Sequence, residues 1–283
     1  MMTIMNDLQA RIRGGLFGCA VGDALGSSFE GSGRDERREI RMSGGGQFNL
    51  KTGDVTDDTL MMLALAETYC ETGYFDMTVF LHKVILTLRE DDTTFGRTTK
   101  TMTSLLEQGC IPKAAVSALH AACGSSTNGS VMRTIPVGLT MTKDVENVAR
   151  KVSAYTHYDT TAGNCCAVIS KAAAGLTEGK SKEDVLKEIP EYYLRGELIP
   201  SIDPIETTRC ALACFRDGCS YTDVIRRACV LGGDTDTIAC IAGGLAGILW
   251  GVPENLTDTL LLKKRIENVA LRLTERVEEQ RRL

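Results

Sequence analysis

The sequence predicts an all-α fold, a single domain (1–283) of helices packed orthogonally. Three observations carry that expectation. Apolar residues recur at helical spacing through nearly the whole chain. No segment alternates with the period of two that a half-buried strand requires, residues 48–50 coming nearest to one. No fixed-period repeat, linker or low-complexity stretch divides the 283 residues, a length at the upper edge of what one hydrophobic core can serve.

Leu8, Ile12, Leu16 and Cys19 form the first helical stripe, and Gly14, Gly15, Gly18, Gly22 and Gly26 lie inside it. An interior glycine costs a helix about 1 kcal/mol relative to alanine. The series therefore predicts a helix whose backbone another helix approaches closely. Leu60, Leu63 and Ala64 begin a second stripe, and Asp76 is placed to cap a third helix carrying Val79, Phe80, Val84 and Leu88. Further helices are predicted over 144–156, 161–176, 204–217, 221–230, 236–249 and 258–280. Gly243, Gly244 and Gly247 again lie inside one of them, whereas Gly232 and Gly233 shape a turn before it. Gly73, Gly109 and Gly218 fall where helices stop.

Hydrophobic content of 43% and charged content of 24% are those of an ordinary soluble protein. The net charge is −5, and the arginines at 34–41 are mixed with Asp35, Glu36 and Glu39, which argues against nucleic-acid binding. No N-terminal apolar run resembles a signal peptide, and no stretch of about 20 apolar residues suits a membrane span. The eleven cysteines show no CxxC zinc spacing. Cys19, Cys165, Cys166, Cys210, Cys214, Cys229 and Cys240 sit among apolar helical residues, as buried reduced thiols do, so a cytoplasmic compartment is expected. A monomer is the default, the sequence carrying no mark of oligomeric state.

Two short segments carry chemistry. Thr56-Asp57-Asp58-Thr59 and Asp234-Thr235-Asp236-Thr237 each present two carboxylates beside threonine hydroxyls, and each opens an apolar helical run. Alone, either is a common helix start. The second, however, is wedged between CVLGG and IACIAGGLAGILW, where buried charge needs a partner or a metal. Oxygen-only ligands suit Mg²⁺ or Mn²⁺ rather than zinc. Four carboxylates converging on one place repel one another unless cations lie between them. The segments lie in the first and last fifths of the chain, so they share a site only if its two ends pack together. The pair points to a hydrolytic centre with two metals.

Other candidates surround these motifs. Glu30 is followed by Gly31, Ser32 and Gly33, which allow either a solvated loop carboxylate or a mobile segment that swings over a ligand. Asp23 is suited to supporting the fold or the residues that hold the metals. Gly124, Ser125, Ser126, Thr127, Asn128, Gly129 and Ser130 form a loop of small residues, either an ordinary capping loop or one whose backbone N–H groups hold a pyrophosphate. Arg133 can meet a phosphate or a buried acid. His157 lies between two predicted helices, and Tyr155 and Tyr158 are either packed inside or offered to an adenine.

The chain resembles the ADP-ribosylglycohydrolase family over nearly its whole length. Five elements occur in order: GCAVGDALGSSFE at 18–30, TGDVTDDT at 52–59, NGSVMRTIP at 128–136, His157, and GGDTDTIA at 232–239. The resemblance implies an all-helical fold with two Mg²⁺ or Mn²⁺ ions at the base of an ADP-ribose cleft. It implies Thr56, Asp57, Asp58, Asp234, Asp236 and Thr237 as metal ligands, and the loop at 124–130 together with His157 as the ADP-ribose cradle. In some members the glutamate at the position of Glu30 approaches the scissile bond. Glu30, Asp57 and Asp58 are accordingly the candidate catalytic carboxylates, the identity of the proton-handling group staying open.

The implied reaction cleaves the bond between the distal ribose of ADP-ribose and an arginine- or serine-linked side chain. The partner is an ADP-ribosylated protein or a small molecule containing ADP-ribose. Two rivals remain: a two-metal pyrophosphohydrolase, and a module that binds ADP-ribose without cleaving it.

Overall fold

The computed structural model describes residues 7–282. They form fifteen α-helices and two single-turn 3₁₀ segments. The first helix, α1 (Asp7–Gly26), runs into a 3₁₀ turn at Ser27–Phe29. A long loop then reaches α2 (Asp57–Thr72), followed by α3 (Met77–Glu90), α4 (Arg97–Glu107) and α5 (Pro112–Cys123). A second 3₁₀ turn, Asn128–Ser130, precedes α6 (Ile135–Leu139), α7 (Val145–Ser153) and α8 (Thr160–Glu178). Two short helices, α9 (Lys182–Lys187) and α10 (Glu191–Leu194), lead to α11 (Pro204–Asp217) and α12 (Tyr221–Leu231). The chain closes with α13 (Thr235–Trp250), α14 (Glu254–Thr257) and α15 (Lys263–Arg282). One continuous hydrophobic core runs through these helices.

The glycine series on α1 finds its cause in α13. The two helices run antiparallel with their backbones in contact. A methyl group at Gly18 would lie 2.2 Å from the Gly243 carbonyl oxygen, and one at Gly22 would lie 2.1 Å from that of Ala239. Gly14 and Gly26 meet Gly247 and Thr235 in the same register, so every fourth residue of α1 lies against α13. This pairing packs the two ends of the chain together. It also sets the end of α1, which carries Asp23, beside the start of α13, which carries Asp234 and Asp236.

Local signals account for most helix boundaries. Asp76 caps α3 by accepting from Val79 N at 2.9 Å, and Gly73 closes α2 in the left-handed region at φ 79°. Residues 48–50, the stretch nearest to a strand, make only an isolated antiparallel bridge between Leu50 and Gly45, closed by a tight turn. Two expectations are corrected. Helices α4 and α5 lie in a stretch where only a helix stop at Gly109 is predicted, the threonine-rich α4 carrying few apolar residues. The predicted 258–280 helix begins only at Lys263, after α14 and a turn. All eleven cysteines are free, eight of them buried, and no helix among the described residues is long and apolar enough to cross a membrane.

Candidate active site

The two carboxylate motifs sit at the N-termini of α2 and α13, on one cleft of about 260 Å³. Asp57, Asp58, Asp234, Asp236 and Thr237 line it, with Glu30 beside them. One carboxylate oxygen each from Glu30, Asp234 and Asp236 lies within 4.8 Å of the others. Thr56, fully buried, stands immediately behind as the N-cap of α2.

A helix start needs acceptors for its first N–H groups, and of the cleft aspartates only Asp236 serves as one, its Oδ1 accepting from Thr237 N at 2.8 Å. In α2, Asp57 N donates to Thr94 Oγ1 (2.9 Å), Asp58 N to Thr56 Oγ1 (3.2 Å) and Thr59 N to Asp23 Oδ2 (3.2 Å). In α13, Thr235 N donates to Glu30 Oε2 at 2.9 Å, while Asp234, in the N-cap position, makes no side-chain capping bond. Its carboxylate instead accepts from Asn128 Nδ2, which also donates to Thr207 Oγ1 at 2.8 Å. Buried Asp58 Oδ2 has no hydrogen-bond partner at all. Helix capping therefore does not explain why Asp57, Asp58 and Asp234 are here.

Electrostatics sharpens the point. Burial, followed by the Asp236 and Asp23 charges, pushes the Asp57 carboxyl up to about 8. Burial and the neighbouring Asp236 push Glu30 up to about 10. Asp58 and Asp234 are raised well above the usual carboxylate range, burial first and Asp236 second. Two like charges 4 Å apart repel by roughly 4 kcal/mol at an effective dielectric constant of 20. The neighbouring ion pairs Lys100–Asp92 and Arg209–Glu206 use other carboxylates. All-oxygen donors, an unpartnered buried oxygen and mutual repulsion together fit hard divalent cations.

Glu30 is held rather than free. Gly31 N donates to Gly233 O (2.9 Å) and Gly233 N to Ser32 O (2.8 Å), zipping the Glu30 segment to the turn before α13. Gly232 and Gly233 take φ of 76° and 65°, and a methyl group at either would strike backbone oxygen, of Ser32 or Pro200. This zipper ties the segment after Glu30 to the turn before α13.

The loop at 124–130 divides. Thr127, Asn128 and Gly129 line the cleft with His157. Ser125 bonds instead to His120 (2.9 Å), and Ser130 turns into the core to meet Ser153 (2.8 Å). Neither Gly124 nor Ser126 belongs to the lining. His157 lies under Gly129, bonded to Thr127 (2.9 Å) and Thr156 (2.7 Å). Burial and the Arg133 charge hold its imidazole down to about 3, so it is neutral at physiological pH.

Arg133 meets neither a ligand position nor an acid. It is fully buried beneath the loop, donates to the carbonyls of Gly129 (2.5 Å) and Val152 (3.3 Å), and packs on the Phe80 ring. Tyr155 packs against Phe80 with its hydroxyl on the Phe75 carbonyl, whereas Tyr158 is exposed beside His120 and outside the cleft.

Sequence reasoning missed one wall of the cleft, Thr94, Gly96, Arg97, Thr98 and Thr99 at the start of α4, together with Phe48 and Ile202. Arg97 is the only lysine or arginine in the lining. The signal was the GRTT run after Phe95, a lone cation among small polar residues.

The arrangement has close relatives. The model of the ADP-ribosylglycohydrolase family matches residues 5–283. ADP-ribosylarginine hydrolase Tri1 of Serratia proteamaculans is 28% identical over 291 residues, spanning 93% of this chain and 78% of the relative. The ADP-ribosyl-dinitrogen reductase glycohydrolase of Rhodospirillum rubrum is 25% identical over 263 residues, spanning 86% of this chain and 87% of the relative. A solved ADP-ribosylglycohydrolase-related protein complex has a chain that superposes with a TM-score of 0.82 at 27% identity, covering 96% of this chain and all of that one. By sequence, fold and the content of its cleft, the chain belongs to the ADP-ribosylglycohydrolase family.

Proposed function

We propose that the chain releases ADP-ribose from modified protein side chains by hydrolysing the glycosidic bond at the distal ribose. Thr56, Asp57, Asp58, Asp234, Asp236 and Thr237 would hold two Mg²⁺ or Mn²⁺ ions for that purpose. One observation carries the proposal: four aspartates from distant segments converge on a single cleft, and three of them, Asp57, Asp58 and Asp234, have no capping role to explain them. Family membership makes the chain a glycosidic-bond hydrolase acting on ADP-ribosyl substrates. The relatives' names favour a modified protein, arginine-linked in the case of Tri1. Eleven free cysteines favour a reducing, cytoplasmic compartment.

Divalent cations bound there would supply charge neutralisation and a water of lowered pKa. The remaining work falls to side chains. As the side chain departs, positive charge develops at the ribose C1″, and an acidic cleft favours that charge. Glu30 and Asp57 are half-buried whereas Asp58, Asp234 and Asp236 are buried. Glu30 and Asp57 therefore have the solvent access needed to exchange a proton with water once the charge of the cluster is neutralised. Asn128, fixed on Thr207, orients Asp234. Thr127 and Gly129, backed by neutral His157, form the wall offered to the ribose and phosphates, and Arg97 balances the pyrophosphate charge.

The test is to incubate the protein with arginine- and serine-ADP-ribosylated substrates and Mg²⁺ or Mn²⁺ and identify the product. Free ADP-ribose is expected. Release of AMP would make the chain a pyrophosphohydrolase, and bound but unchanged ligand would make it a binding module.

A further inference from the structure

Asp23 is a sixth carboxylate of the site, though it lies behind the cleft and outside its lining. It sits on α1, with no solvent exposure, in the stretch of helix packed against α13. Four donors of α2 and its cap converge on it. Thr56 N approaches to 3.0 Å, Thr56 Oγ1 to 2.9 Å, Thr59 N to 3.2 Å and Thr59 Oγ1 to 2.5 Å. An acid at this place is not what stability alone selects. Its charge adds to the repulsion on Asp57 and Asp58.

The hydroxyl of Thr56 shows what the acid achieves. A threonine hydroxyl has one proton and two lone pairs. Thr56 gives its proton to Asp23 Oδ1 and accepts Asp58 N with one lone pair, which leaves one lone pair of the oxygen uncommitted. A hydroxyl whose proton is fixed on a buried acceptor can act only as an acceptor on its other side, which is what a cation requires of it. The same carboxylate ties Thr59 N and so fixes the turn that carries Asp57 and Asp58.

We propose that Asp23 is a positioning residue of the metal centre: by accepting from Thr56 and Thr59 it sets the Thr56 hydroxyl as an oxygen donor to a cation and locks the first turn of α2 in its ligand-presenting form. The proposal rests on the two-metal site proposed above. Asparagine at this place would turn an N–H₂ group toward at least one of the N–H or O–H donors, freeing Thr56 to rotate. Residues supporting metal ligands from behind typically govern 10- to 100-fold of metal affinity.

The experiment is Mn²⁺ titration of the full chain by calorimetry and electron paramagnetic resonance. The comparison is wild type, Asp23→Asn, Thr59→Val and Thr134→Val, each checked for helical content by circular dichroism. Asp23→Asn is expected to bind Mn²⁺ about 10- to 100-fold more weakly, with ADP-ribose release recovering as Mn²⁺ is raised. Thr59→Val is expected to show a smaller loss of the same kind. Thr134→Val, which removes a buried hydroxyl bonded to Ser170 at 2.8 Å, is expected to lower the melting temperature and leave Mn²⁺ affinity unchanged. Folded Asp23→Asn binding Mn²⁺ as tightly as wild type would overturn the proposal. If Asp23→Asn does not fold, Thr59→Val decides: unchanged affinity overturns the proposal, weakened affinity supports it. Wild type that binds no Mn²⁺ would instead remove the metal centre itself.

Discussion

Asp57→Ala and Asp234→Ala are each expected to lower kcat/KM for ADP-ribose release by about 10³-fold or more. Metal sites contribute several kcal/mol to transition-state stabilisation, and each 1.36 kcal/mol is tenfold in rate. Both residues line the cleft, and neither carboxylate caps its helix. The change in stability should run the other way. Asp57 is half-buried among like charges, so the isosteric Asp57→Asn removes repulsion from the metal-free protein. Its melting temperature in EDTA should equal or exceed that of wild type, while its gain on adding Mn²⁺ should be smaller. Release rates by chromatography and melting curves with and without metal check both halves. Unchanged rates in both alanine variants would refute a role for these acids in the reaction.

The second large effect is a pH-dependent loss of stability on metal removal. Asp23, Asp57 and Glu30 have ordinary values of 3.8, 3.8 and 4.5 and are pushed up to about 7, 8 and 10 in the folded protein, burial being the largest cause for each. Between those limits the folded, metal-free chain holds protons that the unfolded chain has released. The stability these groups contribute is therefore fully present below about pH 4 and is lost as pH rises through 7 and 8. In EDTA the melting temperature should fall between pH 5.5 and 8.5, and Asp57→Asn should flatten the fall. Mn²⁺ at 100 times its dissociation constant should restore about 2.7 kcal/mol per site, and more readily at the higher pH, where ligands are deprotonated. A melting temperature in EDTA that rises over this interval would contradict the charge balance described for the cluster.

Much of this was written into local sequence. The helical spacing, the Asp76 cap and the break at Gly73 are short-range signals, and the structure repeats them. The two aspartate pairs were legible as hard-cation ligands because an acid between apolar runs demands a partner. The fourfold glycine spacing on α1 foretold a close helix neighbour, but not which one. What local pattern does not encode is which distant groups meet. Glu30 and Asp23 take over the capping of α13 and α2 from other parts of the chain, and only tertiary contact reveals that this releases Asp234 and Asp58 from the task. Arg97 gave only a weak signal, a single exposed arginine in the GRTT run, and nothing in that run says which cleft it faces. Arg133 escaped because its partners are backbone carbonyls and an aromatic face, which leave no trace in residue type.

The acids at the starts of α2 and α13 are expected to hold a pair of divalent cations in one cleft. Anomalous diffraction at the manganese edge from crystals grown with Mn²⁺ tests it most directly. The expected result is two anomalous peaks, each within bonding distance of oxygens from Thr56, Asp57, Asp58, Asp234, Asp236 or Thr237. A cleft without peaks in fully Mn²⁺-loaded crystals, or manganese bound only elsewhere on the molecule, would contradict it.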